Sequence, residues 1–328
     1  MKSVIKLFTI LILSVFLFLT ACSHHPEIQT EMKAPAVYVA TDTEKSLSHT
    51  FAPVFLITDT THSYNKIGSP SAQYGANGKE AISIDINHPA AFNSEIKFRT
   101  DSSEYTNLIY RIHFPRIPAS LFPFHLTAGK NVGLMVVVTI DSSQRPVLIT
   151  TVHTCGCYLA IVPTTFLPKD ALPKKWNTDS QSVYGETLPG MLDYKSISKP
   201  KLLVYLRSEV HRVADIRIVE SDTLADIHTF SMPLVSMTTL DTIPINGKFT
   251  SLFHQKGILK GYVKGSVKYW ETILLSLISL DLFVGTDKAY KDSNETENHF
   301  YTSLKPWNRS RSDMWNFDKF LKFWGWRL

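Results

Sequence analysis

Val132–Tyr158 reads VGLMVVVTIDSSQRPVLITTVHTCGCY, and the expected fold is built outward from it. Val132–Ile140 is a continuous apolar, β-branched run, the pattern of a strand covered on both faces. Asp141–Arg145 is a short polar turn, and Pro146–His153 returns as a second strand. Two strands joined this closely form an antiparallel hairpin. Side chains alternate along a strand, so Val147, Ile149, Thr151, His153, Cys155 and Cys157 share one side. That side changes at its end from apolar to metal- and redox-competent chemistry.

Upstream, Thr106–Phe114 alternates. Leu108, Tyr110, Ile112 and Phe114 form one face; Asn107, Ile109, Arg111 and His113 form the other. This predicts a half-buried strand with a mostly polar second face, on which Arg111 and His113 are candidate site-lining residues. Pro115, Pro118 and Pro123 then turn the chain around His125. Phe51–Ile57 and Ala81–Ile86 are further strand candidates. Asp59–Lys79, rich in Gly, Ser, Asn and Pro, reads as loop. Downstream, Pro163–Pro200 reads as a long irregular excursion. Lys201–Val219 supplies one or two strands; if extended, Arg207, Glu209, His211, Asp215 and Arg217 share a face and pair across strands.

The last quarter changes character. Ser266–Val284 predicts a helix, apolar nearly all round through Trp270, Ile273, Leu274, Leu277, Ile278 and Leu280, with Gly285 suited to end it. Glu271 and Asp281 argue against a membrane span, so a buried core helix is expected. Asp287–His299 reads as a polar surface loop. Lys305–Arg327 interleaves Trp307, Trp315, Trp324 and Trp326 with lysines and arginines. A helix capped by Ser312 or Asp313 would align Met314, Phe317, Leu321 and Trp324. It would dock on the sheet or lie on a membrane surface; docking is preferred because four exposed tryptophans invite aggregation. The expected fold class is α+β, a mostly antiparallel β-sheet with C-terminal helices packed on it. It is expected as one globular domain over residues 51–328, helical from about residue 258.

With 328 residues, 44% of them hydrophobic, the chain can bury a full core. Its net charge of +5 is too small to argue for nucleic acid, and no phosphate loop or metalloprotease helix motif is present. At the N-terminus, Lys2 and Lys6 precede the apolar run Leu7–Leu19, followed by Leu19-Thr20-Ala21-Cys22: a charged region, an apolar region and a small-residue cleavage site. The run is too short for a membrane span of about 20 residues.

This ending resembles the lipobox of bacterial lipoproteins. The resemblance covers residues 1–22 and implies a signal peptide over 1–21, cleaved before Cys22, and diacylglycerol attachment to the Cys22 thiol, with palmitate as acyl group. Ser23 after the cysteine implies sorting to the outer membrane, facing the periplasm. Residues 22–50 are then expected as lipidated cysteine and tether, with the membrane as first partner.

In such an oxidising compartment two remaining cysteines are expected bridged or metal-bound. Three accounts of His153, Cys155 and Cys157 stand. They could hold zinc or copper, Gly156 kinking the chain so that both thiols meet one ion, with His211, His113 or His125 as fourth ligand. Cys155 and Cys157 could form an exchangeable disulfide, with His153 stabilising a thiolate. Or the pair is a structural staple. The functional expectation is an envelope lipoprotein that binds a metal or an envelope protein partner. The alternative is a metal-assisted hydrolase or a periplasmic thiol–disulfide oxidoreductase.

Overall fold

The computed structural model describes residues 32–41, 46–220, 223 and 228–328. Cys22 and the signal-like segment lie outside the described residues. The first strands are β1 (Ala36–Ala40), β2 (Val54–Ile57), β3 (Ser69–Tyr74), β4 (Glu80–Asp85), β5 (Ala91–Arg99), β6 (Glu104–Ile117), β7 (Gly129–Ile140), β8 (Pro146–His153) and β9 (Ala160–Pro163). They continue with β10 (Ser180–Val183), β11 (Glu186–Pro189), β12 (Pro200–Leu206), β13 (Val213–Glu220), β14 (Thr229–Met232), β15 (Leu234–Ser236), β16 (Ile243–Ile245) and β17 (Lys248–Thr250). Among the described residues helices are few: α1 (Leu47–Thr50), α2 (Tyr269–Ser279), α3 (Ser293–Thr296) and α4 (Phe317–Phe323).

Two large sheets carry the architecture. One is six-stranded in the order β15-β5-β6-β7-β8-β9, the other five-stranded in the order β13-β12-β2-β1-β14. The expected hairpin is its centre: β7 and β8 pair antiparallel, with Val138 opposite Ile149 and Leu134 opposite His153. Asp141 forms the turn by accepting the amides of Ser143 and Arg145 on one carboxylate oxygen. Leu108, Tyr110, Ile112, Val136 and Ile149 of the larger sheet pack against Tyr38, Phe55, Leu202 and Val204 of the smaller. The larger sheet's other face, through Ile109, Met135, Val137 and Val152, is covered by Met314, Phe317, Phe320, Leu321 and Trp326. A sheet covered on both sides accounts for the unbroken apolar run in β7.

The molecule is thus mostly strand, with several antiparallel pairings and little helix. The expected C-terminal helical part from about 258 to 328 holds helices of only 11, 4 and 7 residues, with turns between them. Several boundaries also move. Ala36–Ala40, expected in the tether, is a strand inside the smaller sheet, because Val37 and Tyr38 are buried there. Part of the expected Asp59–Lys79 loop is β3, a mostly polar strand whose Ser71, Ala72 and Gln73 pair with β4. Pro163–Pro200 contains the β10–β11 hairpin. α4 starts later than expected, capped by Asn316, whose side chain accepts from the Lys319 amide. The C-terminal aromatic segment docks on the sheet, with Phe320 and Trp326 buried and Trp307 left exposed. The largest reversal concerns α2, which was expected in the core and lies at the surface with most of its apolar residues outward.

Candidate functional site

β8 delivers His153 to the end of the larger sheet, and the next four residues fold into a tight loop. The His153 amide donates to the Cys157 carbonyl at 2.9 Å, and the Gly156 amide donates to the His153 carbonyl at 2.8 Å. Gly156 has φ of +93°, and a Cβ there would lie 2.0 Å from the Tyr301 carbonyl oxygen. Only glycine fits so close a backbone approach in this conformation. Cys155 and Cys157 form a disulfide with Cα atoms 5.6 Å apart. Cys155 is buried and Cys157 half-buried.

His153, Cys155 and Cys157 each bring one donor atom within 4.8 Å of the others, so the three could hold a metal ion. The imidazole is buried, and its Nε2 lies 3.0 Å from the His211 carbonyl oxygen. A carbonyl only accepts, so Nε2 carries the proton and Nδ1 keeps its lone pair. Among the described residues that Nδ1 is buried without a hydrogen-bond partner. Burial, reinforced by the Lys268 charge, lowers the His153 pKa to about 3, so the ring is neutral. Tyr158 closes the site edge-on, its ring centroid 4.8 Å from the imidazole.

The expected fourth ligands are not gathered here. The His211 ring stacks on Phe114 with centroids 4.0 Å apart, and only its carbonyl reaches His153. Burial, then neighbouring His153, lowers the His211 pKa to about 3. His125 is engaged with the Pro118 carbonyl at 2.9 Å and Glu209 at 3.5 Å. His113 accepts from Arg111 Nε at 3.0 Å. Nor do Arg207, Glu209, His211, Asp215 and Arg217 share a strand face, since residues 207–212 connect β12 to β13. Arg207 and Arg212 both pair with Glu186 instead.

Arg111 and His113 prove to belong to a buried polar cluster behind the disulfide loop, not to a solvated face. Asp287 is its hub and, with Lys288, corrects the surface-loop reading of Asp287–His299. Its carboxylate lies 3.1 Å from the Lys268 ammonium and accepts from the Ser266 hydroxyl at 2.6 Å and from Thr154. Burial alone would raise its pKa; Lys268, Ser266 and Thr154 override this and hold it below the usual carboxylate value. Lys288 donates from Nζ to the Cys155 carbonyl at 2.8 Å and sits 4.0 Å from the Tyr301 ring centroid. Burial lowers its pKa to about 8. Arg111 donates to the Lys288 carbonyl at 2.8 Å. The cluster ties the Thr154–Cys155 backbone to the segment after α2. Only Arg111 and His113 were legible as candidates. Lys268, Asp287 and Lys288 look in sequence like ordinary surface charges.

A narrow cleft nearby is lined by Thr151, Tyr158, Tyr184, Glu186 and Arg212 and holds roughly one water's volume; none of the three donor residues lines it. Compared with protein-family models, curated proteins and solved structures, the chain matches none.

Proposed function

We propose that this chain is an outer-membrane lipoprotein, anchored by lipid on Cys22 and facing the periplasm, that binds zinc or copper when Cys155 and Cys157 are reduced. The observation that supports the metal reading best is the convergence of three donors, one of them a histidine already oriented as a ligand. His153 Nε2–H is held by a backbone carbonyl while Nδ1 stays free, the arrangement by which outer-shell groups fix metal-binding histidines. His211 contributes through that carbonyl, not through its ring. Two thiolates and one disulfide are alternative states of the same sulfurs, so oxidation closes the site and reduction opens it. The half-buried Cys157 side leaves the remaining coordination position to water or to a donor from an envelope protein partner. This is a binding role, not a catalytic one.

The full chain, reduced by a phosphine, is titrated with zinc or copper(I) and read by native mass spectrometry alongside thiol counting. One equivalent should bind to the reduced chain, and none to the oxidised chain or to Cys155→Ser/Cys157→Ser. His153→Ala should weaken binding at least tenfold. Equal binding by the reduced wild type and the double variant removes the metal reading. The disulfide itself favours a second reading, thiol–disulfide exchange through Cys157; rapid exchange with glutathione without metal uptake would establish it. The lipid is tested separately, by incorporation of a fatty-acid probe that Cys22→Ser abolishes.

A further inference from the structure

Helix α2 is mounted inside out. Its inward stripe is Glu271, Leu275 and Ser279, while Tyr269, Ile273, Leu277 and Leu280 point outward. A water-facing helix has the opposite arrangement. Leu277 is 85% exposed, and neither charge between residues 269 and 284 interrupts the outward stripe: Glu271 is buried and Asp281 is held by Tyr301. Beside the helix stands the loop between β6 and β7, where Phe122 is 95% exposed and Leu121 lies next to it. The two join through Phe124 and Trp270, whose rings meet edge to face at 5.9 Å.

We infer that this joint face of α2 and the β6–β7 loop seats on an anionic lipid bilayer. Apolar patches of this kind mark interaction sites, and two features here select lipid. The first is charge. Arg116 and Lys130, both exposed, stand opposite each other across the strands at the base of the apolar loop. Like charges so placed repel, and anionic headgroups above an apolar insertion relieve the repulsion.

The second is where the first described residues, 32–34, lie relative to the patch. Ala34 accepts from the Thr60 hydroxyl at 3.0 Å, and the segment after Thr60 leads to Tyr64, whose ring lies under Arg116. Asn65 of that segment accepts the Glu209 amide, and Glu209 reaches His125 in the apolar loop. The start of the described chain therefore lies at the same end as the patch. Nine residues lie between Cys22 and Met32, ten steps of chain with a reach of about 35 Å at most. This second argument rests on the lipid-anchor reading; the first does not. α2, at 11 residues, lies along the surface, and among the described residues no helix is long and apolar enough to cross a membrane.

The test uses the full chain with Cys22→Ser, in which Leu277→Cys or Ser102→Cys supplies the one reactive thiol while the Cys155–Cys157 disulfide stays closed. Ser102 lies in the β5–β6 turn, at the far end of β6, roughly 45 Å along the strand. Each chain carries a polarity-sensitive fluorophore and is mixed with phosphatidylglycerol/phosphatidylethanolamine vesicles. Both chains share the apolar run Leu7–Leu19, which would bind lipid by itself, so the label's emission and not vesicle association is the readout. Emission at position 277 should rise at least twofold and shift to the blue, with no change at 102. Arg116→Glu/Lys130→Glu should at least halve the response. No response at 277, or equal responses at 277 and 102, overturns the inference. A change at 277 that grows with protein concentration without vesicles also overturns it, in favour of a second copy. Because the probe chain lacks the Cys22 thiol, failure of the lipidation reading in the fatty-acid experiment leaves this result untouched.

Discussion

Helices α2 and α4 are both short, both rich in aromatic and aliphatic residues, and they meet the molecule in opposite senses. α4 turns Phe317, Phe320 and Leu321 onto the outer face of the six-stranded sheet, leaving Lys319 and Lys322 outside. α2 turns Glu271 and Ser279 inward and leaves Ile273, Leu277 and Leu280 outside. The difference lies in what each helix covers. Under α4 the sheet is apolar, so burying phenylalanine removes area from water at about 25 cal/mol per Å². Next to the start of α2 stands the cluster of Lys268, Asp287, Lys288 and Arg111, which needs polar and charged neighbours. Apolar content alone does not decide which helix is a core helix.

The sharpest way to break the comparison is truncation on both sides of it. Phe320→Ala should cost roughly 3–5 kcal/mol, the usual range for a buried phenylalanine. Leu277→Ala should stay within about 0.5 kcal/mol, as at exposed positions. Urea unfolding of the two variants measures both; a comparable loss in Leu277→Ala would mean that α2 also packs inward through that residue.

A second, smaller effect separates the helices by pH. Burial raises the Glu271 pKa above the ordinary carboxylate value, so the folded protein keeps a proton that the unfolded chain releases. Its contribution is therefore fully present below about pH 4.5 and declines as pH rises through the folded value. Glu271→Gln should be more stable than wild type at pH 8, with the gap closing toward pH 4. A gap that widens on acidification would mean that the carboxylate is charged and paired.

His113 runs the other way. Burial, then the Arg111 charge, lowers its pKa well below the ordinary histidine value. The unfolded chain takes up a proton near pH 6.5 that the folded protein refuses, so stability drops as pH falls below 6.5. In the same pH series, His113→Gln should soften that decline; an unchanged acid limb would mean that other groups set it.

Much of this was written locally. The β7–β8 hairpin is legible because an unbroken apolar run, a five-residue polar turn and a second run agree with one another. The donor set is legible because His153, Cys155 and Cys157 lie within five residues. Other elements carried weak or misleading local signals. β3 is polar and becomes a strand by pairing with β4. Ala36–Ala40 is too short to stand out from its polar surroundings, and is a strand because β2 and β14 flank it. Arg111 and His113 sit at alternate positions of a strand whose second face reads as solvated until residues 253 and 288 close over it.

The sequence alone determined a strand-rich core and one His-Cys-Cys segment at the end of a central strand, because periodicity, turn chemistry and spacing are short-range properties. Tertiary structure alone decided that His211 offers its carbonyl and not its ring, and that lysine and aspartate brace the disulfide loop from behind. It also decided that α2 turns its apolar stripe outward. Each of these depends on which surfaces meet across more than 50 residues of chain, and burial, which sets whether a charge is paired or a leucine covered, is a property of that meeting.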